Sequence, residues 1–404
     1  LAEDSKHTAN KSNASQAKVL ESVQKIRDET KELLEVVSGV NTRTQTLAAA
    51  TEQIAAASNI IIDTANEVKE VFSGFRVIET GIKHGTVTVI SDGQPIEVTR
   101  YRIDGDYADH RRPDSVNFTC EFKNDLARRD FTVNAIGYNE KRGIFDCFGG
   151  KEDIERKILR TVGDAERRFD EDALRIMRAV RFASTLEFKI EENTLAAAKK
   201  LSPTLKNVSA ERIFSELKKT ILGNRPELIE HIINNGGLSH VGLCRCDRLA
   251  SIKKADGLTA RLAVMITLCG GNAFEVLSAL KSDNETKKAV IKIADMLNPE
   301  LPLDRVSLKK HMSHIGEKGL RDLLEAEKAL FGVEIGSAKA EISDILSKNE
   351  PYRIADLEIS GDEITETGIS GKKVGETLEY LLQKAIENPE INEKNRLKSL
   401  IAKN

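Results

Sequence analysis

The chain of 404 residues has no tryptophan, and its phenylalanines and tyrosines bring the aromatic share to only 4%. A core with so few large rings must be aliphatic, and a charged share of 31% fits a helix-rich protein in water. No apolar run approaches the length of a membrane span and no signal peptide is visible, so the chain as given is expected to be soluble and cytoplasmic. The five cysteines (Cys120, Cys147, Cys244, Cys246, Cys269) are an odd count without a disulfide framework. Cys244-x-Cys246 has no second pair at metal-binding spacing, so reduced thiols are the expectation. The net charge of -3 gives no general sign of nucleic acid, but it averages an acidic C-terminal half with Arg-dense stretches at 100–112 and 156–181. The first residue is Leu1 rather than Met, which reads as the torn end of something longer.

From Val19 to Phe72, apolar and small residues recur at three-four spacing without a proline: Val19, Val23, Ile26, Thr30, Leu33, Val37, Val40, continuing to Val68 and Phe72. A stripe of about seven heptads is too long and narrow for a globular helix and calls for a partner helix along residues 19–72. Small residues in the seam, with Ala48–Ala50 and Ala55–Ala57 beside it, predict a thin, closely packed bundle.

After Phe72 the texture changes. Val87–Ile90 and Ile96–Thr99 are β-branched runs separated by Ser91-Asp92-Gly93-Gln94-Pro95, which predicts a hairpin. Gly81–Thr86 is a Gly-bracketed loop carrying Lys83 and His84, able to bring backbone N–H groups to a phosphate. The segment from Arg102 to Pro113, with Asp109, Arg111 and Arg112, reads equally as a mobile substrate loop or a solvated turn. Arg128-Arg129-Asp130-Phe131-Thr132-Val133-Asn134-Ala135 is more specific. Its guanidiniums suit a triphosphate, Asp130 can accept from a ribose hydroxyl, and the apolar residues would anchor the turn; a surface ion cluster is the bland alternative. Asp146–Gly150 closes the region with a tight turn that reads as a hinge.

In Glu171-Asp172-Ala173-Leu174-Arg175-Ile176-Met177-Arg178, helical spacing places Asp172 and Arg175 on one face with Arg178 one step further. An accepting Asp beside a donating Arg matches the pairing edges of cytosine and adenine and rejects uracil and guanine. An ordinary helix-surface ion pair has the same signature.

Together these motifs resemble class II CCA-adding tRNA nucleotidyltransferases and their bacterial poly(A) polymerase relatives, from about Glu67 onward. Ser209-Ala210-Glu211-Arg212-Ile213, Ile359–Asp362 and Gly371–Glu376 continue the likeness. The resemblance implies an α/β head followed by a mostly α remainder, and addition of CMP and AMP from CTP and ATP to a tRNA acceptor arm with Mg2+ as cofactor. It also implies that Arg128, Asp130 and Asn134 handle ribose and phosphates, that Asp172 and Arg175 select the base, and that Arg178 holds the triphosphate. Lys83, His84, Asp109, Arg111 and Arg112 would lie in the substrate loop. Residues 1–65 resemble the cytoplasmic arm of methyl-accepting chemotaxis receptors, through Leu1-Ala2-Glu3-Asp4-Ser5 and Ala48-Ala49-Ala50-Thr51-Glu52-Gln53-Ile54. By that likeness Glu52 or Gln53 is the methylation position; an Ala-rich coiled coil with an exposed Glu reads the same way.

One family feature is lacking. The paired metal-binding carboxylates should precede Glu67-Val68-Lys69-Glu70-Val71-Phe72, yet no Asp-x-Asp or Glu-x-Asp occurs there, and the expected positions hold Ala56 and Ser58. Glu97 is left as a possible supporting carboxylate. The expected layout is a coiled-coil arm at 1–73, a truncated nucleotidyltransferase head at 74–165, a neck at 166–223, a helical body at 224–345 and a tRNA-binding tail at 346–404. The expected chain is a nucleotidyltransferase by descent that lacks activity, fused to a receptor-like arm by genomic rearrangement or by misassembly of sequence data. The alternative is a tRNA-binding or coiled-coil interaction protein with a vestigial active site.

Overall fold

A computed structural model describes residues 35, 38–40, 42–46, 70–78, 86–105 and 116–401. Most of the predicted arm, Glu52 and Gln53, Lys83 and His84, and Asp109, Arg111 and Arg112 lie outside them. The chain divides into two compact units, 1–100 and 101–404.

In the first unit, residues 38–40 and 42–46 are helical. Three antiparallel strands follow: β1 (Arg76–Ile78), β2 (Thr86–Ser91) and β3 (Gln94–Thr99), with β2 in the middle. The β2–β3 ladder runs from Thr86 opposite Thr99 to Ser91 opposite Gln94, so both strands are longer than the sequence indicates. The connection shrinks to Asp92-Gly93, with φ of 50° and 77°. Left-handed conformation at both positions gives the hairpin turn whose twist matches the strands, and Asp-Gly adopts it readily. Val87 and Val89 face inward from β2, whereas β3 is an edge of this sheet carrying Pro95 and an exposed Glu97.

The second unit opens with β4 (Arg102–Asp104) paired to β5 (Val116–Phe118), so the start of the expected polar loop is a strand. Next come α1 (Phe122–Ala127), the hairpin of β6 (Ile136–Asn139) and β7 (Gly143–Asp146), α2 (Gly150–Glu155), and β8 (Ile158–Leu159), which pairs in parallel with β9 (Lys189–Ile190). The Asp146–Gly150 turn is a pinned cap rather than the expected hinge. Asp146 accepts from the N–H groups of Phe148, Gly150 and Lys151 at 3.1, 3.0 and 2.8 Å.

Helices α3 (Ala165–Glu171), α4 (Leu174–Leu186), α5 (Glu192–Leu201) and α6 (Ala210–Leu222) follow. Ile176, Met177, Val180 and Ala183 of α4 and Ile213, Leu217 and Ile221 of α6 are buried at three-four spacing. Lateral contacts step along both helices in the same direction: Asp172 to Arg212, Arg181 to Glu216, and Ser184 to Thr220. The two helices therefore run parallel. Gly223 ends α6 where a Cβ would come within 2.4 Å of Ser184 Oγ, so the close approach requires glycine.

One hydrophobic core runs from Phe131 to Tyr352, joining the end of the head to the neck and body. Ile359, Ile364, Leu381 and Leu397 form a separate small core in the tail. Among the described residues the longest helix, Arg305–Phe331, bends at Gly316, where φ is 78°. Among the described residues no single helix is long and apolar enough to cross a membrane.

The structure corrects the reading of all five cysteines as free thiols. Cys246 and Cys269 form a disulfide, leaving Cys120, Cys147 and Cys244 free. Their separation of 23 residues carries no pairing signal; the fold alone brings them together.

Candidate nucleotide site

The site is built on the turn that follows α1. Arg128 closes that helix and donates through Nε and Nη2 to Asp125 Oδ1 at 2.9 and 2.7 Å. Arg129 Nη2 lies 3.5 Å from the other oxygen of Asp125, and its Nη1 donates to the Asn134 carbonyl at 3.0 Å. Phe131 and Ala135 are fully buried and anchor the turn. A Cβ on Gly150 would stand 2.2 Å from the Thr132 carbonyl oxygen, so only glycine lets α2 approach this backbone.

Asp130 is 7% exposed. Its Oδ1 accepts from Phe131 N at 2.9 Å and Asn134 Nδ2 at 3.0 Å, and its Oδ2 accepts from Arg178 Nε at 2.8 Å. A buried carboxylate with these donors is a fixed element of the wall.

Asp172 does not share a helix face with Arg175, contrary to the expectation. It sits between α3 and α4 with extended backbone, φ -144° and ψ 102°, and its Oδ1 accepts from Leu174 N at 3.0 Å at the start of α4. Side chains that hydrogen-bond locally favour such helix starts over helix interiors. Its charge partner is Arg212 of α6, Nη2 to Oδ2 at 3.1 Å. Arg175 instead pairs with Glu171 at 2.7 Å and donates to the Arg128 carbonyl at 3.1 Å, tying α4 to the turn.

These pieces enclose a cavity of about 460 Å³ lined by Arg128, Arg129, Asp130, Asn134, Asp172, Arg175, Arg178 and Phe182. All six residues expected to contact nucleotide therefore share one wall, although they come from segments some forty positions apart in the chain. Four guanidiniums face two carboxylates there, while Asp125 and Glu171 stand behind and hold the arginines in place. The cavity suits a polyanion with a polar edge. Sequence reading gave no role to Phe182, although it lies one helical turn beyond Arg178. Nor did it assign one to Arg212, although the Ser209–Ile213 segment drew notice.

Burial draws the Arg181 guanidinium below its usual range, against the raising influence of Glu216. Arg181 Nε lies 2.6 Å from Glu216 Oε2, but the alignment does not make a hydrogen bond, so the contact is a Coulombic pair.

Two family profiles match the sequence: poly A polymerase head domain over residues 37–160, and probable RNA and SrmB-binding site of polymerase A over residues 187–241. A CCA-adding enzyme of Ligilactobacillus salivarius is 32% identical over 349 residues, covering 82% of this chain and 83% of that relative. The chain belongs to the CCA-adding enzyme family. Another CCA-adding enzyme, from Pediococcus pentosaceus, is 51% identical over 160 residues, a match that spans 40% of each chain. The crystal structure of the Bacillus stearothermophilus CCA-adding enzyme in complex with CTP superposes with a TM-score of 0.67 at 28% identity, covering 81% of this chain and 83% of that one. The head-domain match begins at residue 37, upstream of Glu67, where the motif-by-motif likeness starts.

Nucleotidyl transfer in this family calls for Mg2+, but the described residues do not fit it. Among them no group of three or more His, Cys, Asp or Glu is placed to hold a metal ion. Both cavity carboxylates are engaged by N–H donors, Asp130 by Arg178 and Asp172 by Arg212. Glu97 belongs to the first unit, exposed on β3.

Proposed function

We propose that the cavity is a ribonucleoside triphosphate site of the CTP and ATP class, and that the chain binds these nucleotides and a tRNA acceptor arm without transferring a nucleotide. The observation that carries this is the convergence of Arg128, Asp130, Asn134, Asp172, Arg175 and Arg178 on one cavity. The arginines would hold the phosphates and Asp130 with Asn134 the ribose, while Asp172 and Arg175 offer the acceptor and donor that match cytosine and adenine edges. Loss of transfer follows from the absence of an Asp-x-Asp upstream of Glu67 and of a metal-fitting carboxylate group among the described residues. The test is calorimetric titration with the four ribonucleoside triphosphates, beside incorporation of labelled CMP and AMP into tRNA lacking its 3′ end. The expected result is binding of CTP and ATP in preference to UTP and GTP, with no incorporation in Mg2+. Robust incorporation would overturn the inactive reading, and Asp63→Ala and Glu97→Ala would then locate surrogate carboxylates.

The match of residues 187–241 to an RNA-binding profile supports a second reading, a tRNA-binding protein with a vestigial nucleotide site. Salt-sensitive tRNA retention without nucleotide binding would favour it. We further propose that residues 1–73 are a receptor-like coiled-coil arm with Glu52 or Gln53 as the modifiable position, supported by the heptad spacing from Val19 to Phe72; the head-domain match over residues 37–160 overlaps its second half and weighs against it there. Single-molecule sequencing across the codons for residues 55–80 tests this: one read spanning both segments supports a real fusion, and reads that part at the junction refute it.

A further inference from the structure

Seven of the eight residues lining the cavity are charged or carry an amide; the eighth, Phe182, is aromatic and half-buried. Its ring is clamped. The Arg181 guanidinium lies over it, Cζ 3.7 Å from the ring centroid, and Phe131 packs against it in a T-shaped pair with centroids 5.8 Å and planes 79° apart. Arg181 is in turn held against Glu216 of α6 at 2.6 Å, so the parallel helix pair fixes the cation that fixes the ring. Arg178 reaches both halves of the cavity, bonded to Asp130 and with Cζ 5.2 Å from the same ring.

Phosphates need the guanidiniums, and a base edge needs Asp172 and Arg175; of the eight lining residues Phe182 alone offers an aromatic ring to the flat surface of a base. We propose that Phe182 is the aromatic contact surface for the base of the bound nucleotide, with Arg181 and Glu216 as the positioning pair that holds its ring. The proposal rests on the nucleotide-site reading and adds to it the residue that separates base from phosphate recognition. Contact with an aromatic face is tolerant of base identity, so the ring serves cytosine and adenine alike and leaves the choice between bases to the polar pair.

The chain contains no tryptophan, so a Phe182→Trp variant carries a single indole reporter at the site. ATP and CTP are expected to quench that indole, while inorganic tripolyphosphate leaves it unchanged. In calorimetry, Phe182→Leu is expected to weaken ATP binding roughly tenfold to a hundredfold, in line with the loss of one base–aromatic contact. Its tripolyphosphate affinity should stay within about twofold of wild type, which also shows that the cavity still forms. Phe182→Tyr, which keeps the ring, should bind ATP like wild type, and Glu216→Gln should weaken ATP but not tripolyphosphate.

Equal quenching by ATP and tripolyphosphate would overturn the proposal. So would equal losses of both ligands in Phe182→Leu, which would make the ring a structural support only. If wild type binds nucleotides and neither the indole nor the leucine variant responds, the inference alone fails. If wild type binds neither nucleotide nor tripolyphosphate, the nucleotide-site reading fails and takes this inference with it.

Discussion

Arg178 and Asp130 stand 48 positions apart in the chain, yet Nε and Nη2 of the arginine lie 2.8 and 2.6 Å from Oδ2 of the aspartate. This pair locks the neck helix to the turn that carries Arg128 and Asn134. Arg178→Ala removes the donors to Oδ2 of a carboxylate that is 7% exposed, and the expected cost is about 2 kcal/mol of unfolding free energy. Asp130→Asn should cost a similar amount, and the double variant less than the two together, since each single change already breaks the pair. Urea unfolding of the four proteins checks this, and strict additivity would contradict it.

Arg212 holds Asp172 in the orientation in which it faces the cavity. With Arg212→Ala, Asp172 keeps its hydrogen bond from Leu174 N but loses its charge partner, and the acceptor facing the base is no longer fixed. The expected outcome is a roughly tenfold fall in the ratio of CTP and ATP affinity to that of UTP and GTP. Competition titration with the four nucleotides measures it, and an unchanged ratio would remove Arg212 from base selection.

Lys309, 1% exposed, donates to Glu350 at 2.9 Å, and Arg305 holds the other carboxylate oxygen at 2.6 Å. Glu350→Gln leaves the buried ammonium without its counter-ion and should cost about 3 kcal/mol at neutral pH. Hydrogen bonds from Arg305, and then from Lys309 against the opposing effect of burial, hold the Glu350 carboxyl below its ordinary value of 4.5. A lowered carboxyl contributes stability above the unfolded value and loses it as pH falls through the folded one. Wild type should therefore lose stability below about pH 4.5 more steeply than Glu350→Gln, a difference visible in melting curves taken from pH 6 to pH 3.

Glu327 has the opposite sign. It is fully buried, accepts only from Asn298 N at 2.7 Å through Oε1, and its Oε2 has no hydrogen-bond partner. Burial raises its carboxyl above the ordinary 4.5, so the fold favours the protonated form and that contribution is lost as pH rises through the folded value. Glu327→Gln keeps the shape without the charge and should raise stability by about 1 kcal/mol at pH 8, with the gain shrinking toward pH 4. A gain that does not change with pH would mean that ionisation of Glu327 has no part in it.

Much of the local architecture was legible in the residues alone. The Asp92-Gly93 hairpin is set by backbone conformations spanning a few positions, and a short segment carries all the information. The residue types of the cavity wall were legible too, because Arg-Arg-Asp and Glu-Asp-x-x-Arg place these groups in short runs. Tertiary structure decided how those groups pair. Helical spacing matches Asp172 with Arg175, but the break between α3 and α4 turns Asp172 toward Arg212, and Arg175 toward Glu171 and the Arg128 carbonyl. Cys246 with Cys269, Arg181 with Glu216, and Phe182 against the cavity are likewise meetings of distant segments. Backbone preferences and helix periods act over a few residues, whereas these pairings arise only when the parallel packing of α4 on α6 brings remote side chains together and excludes water around them.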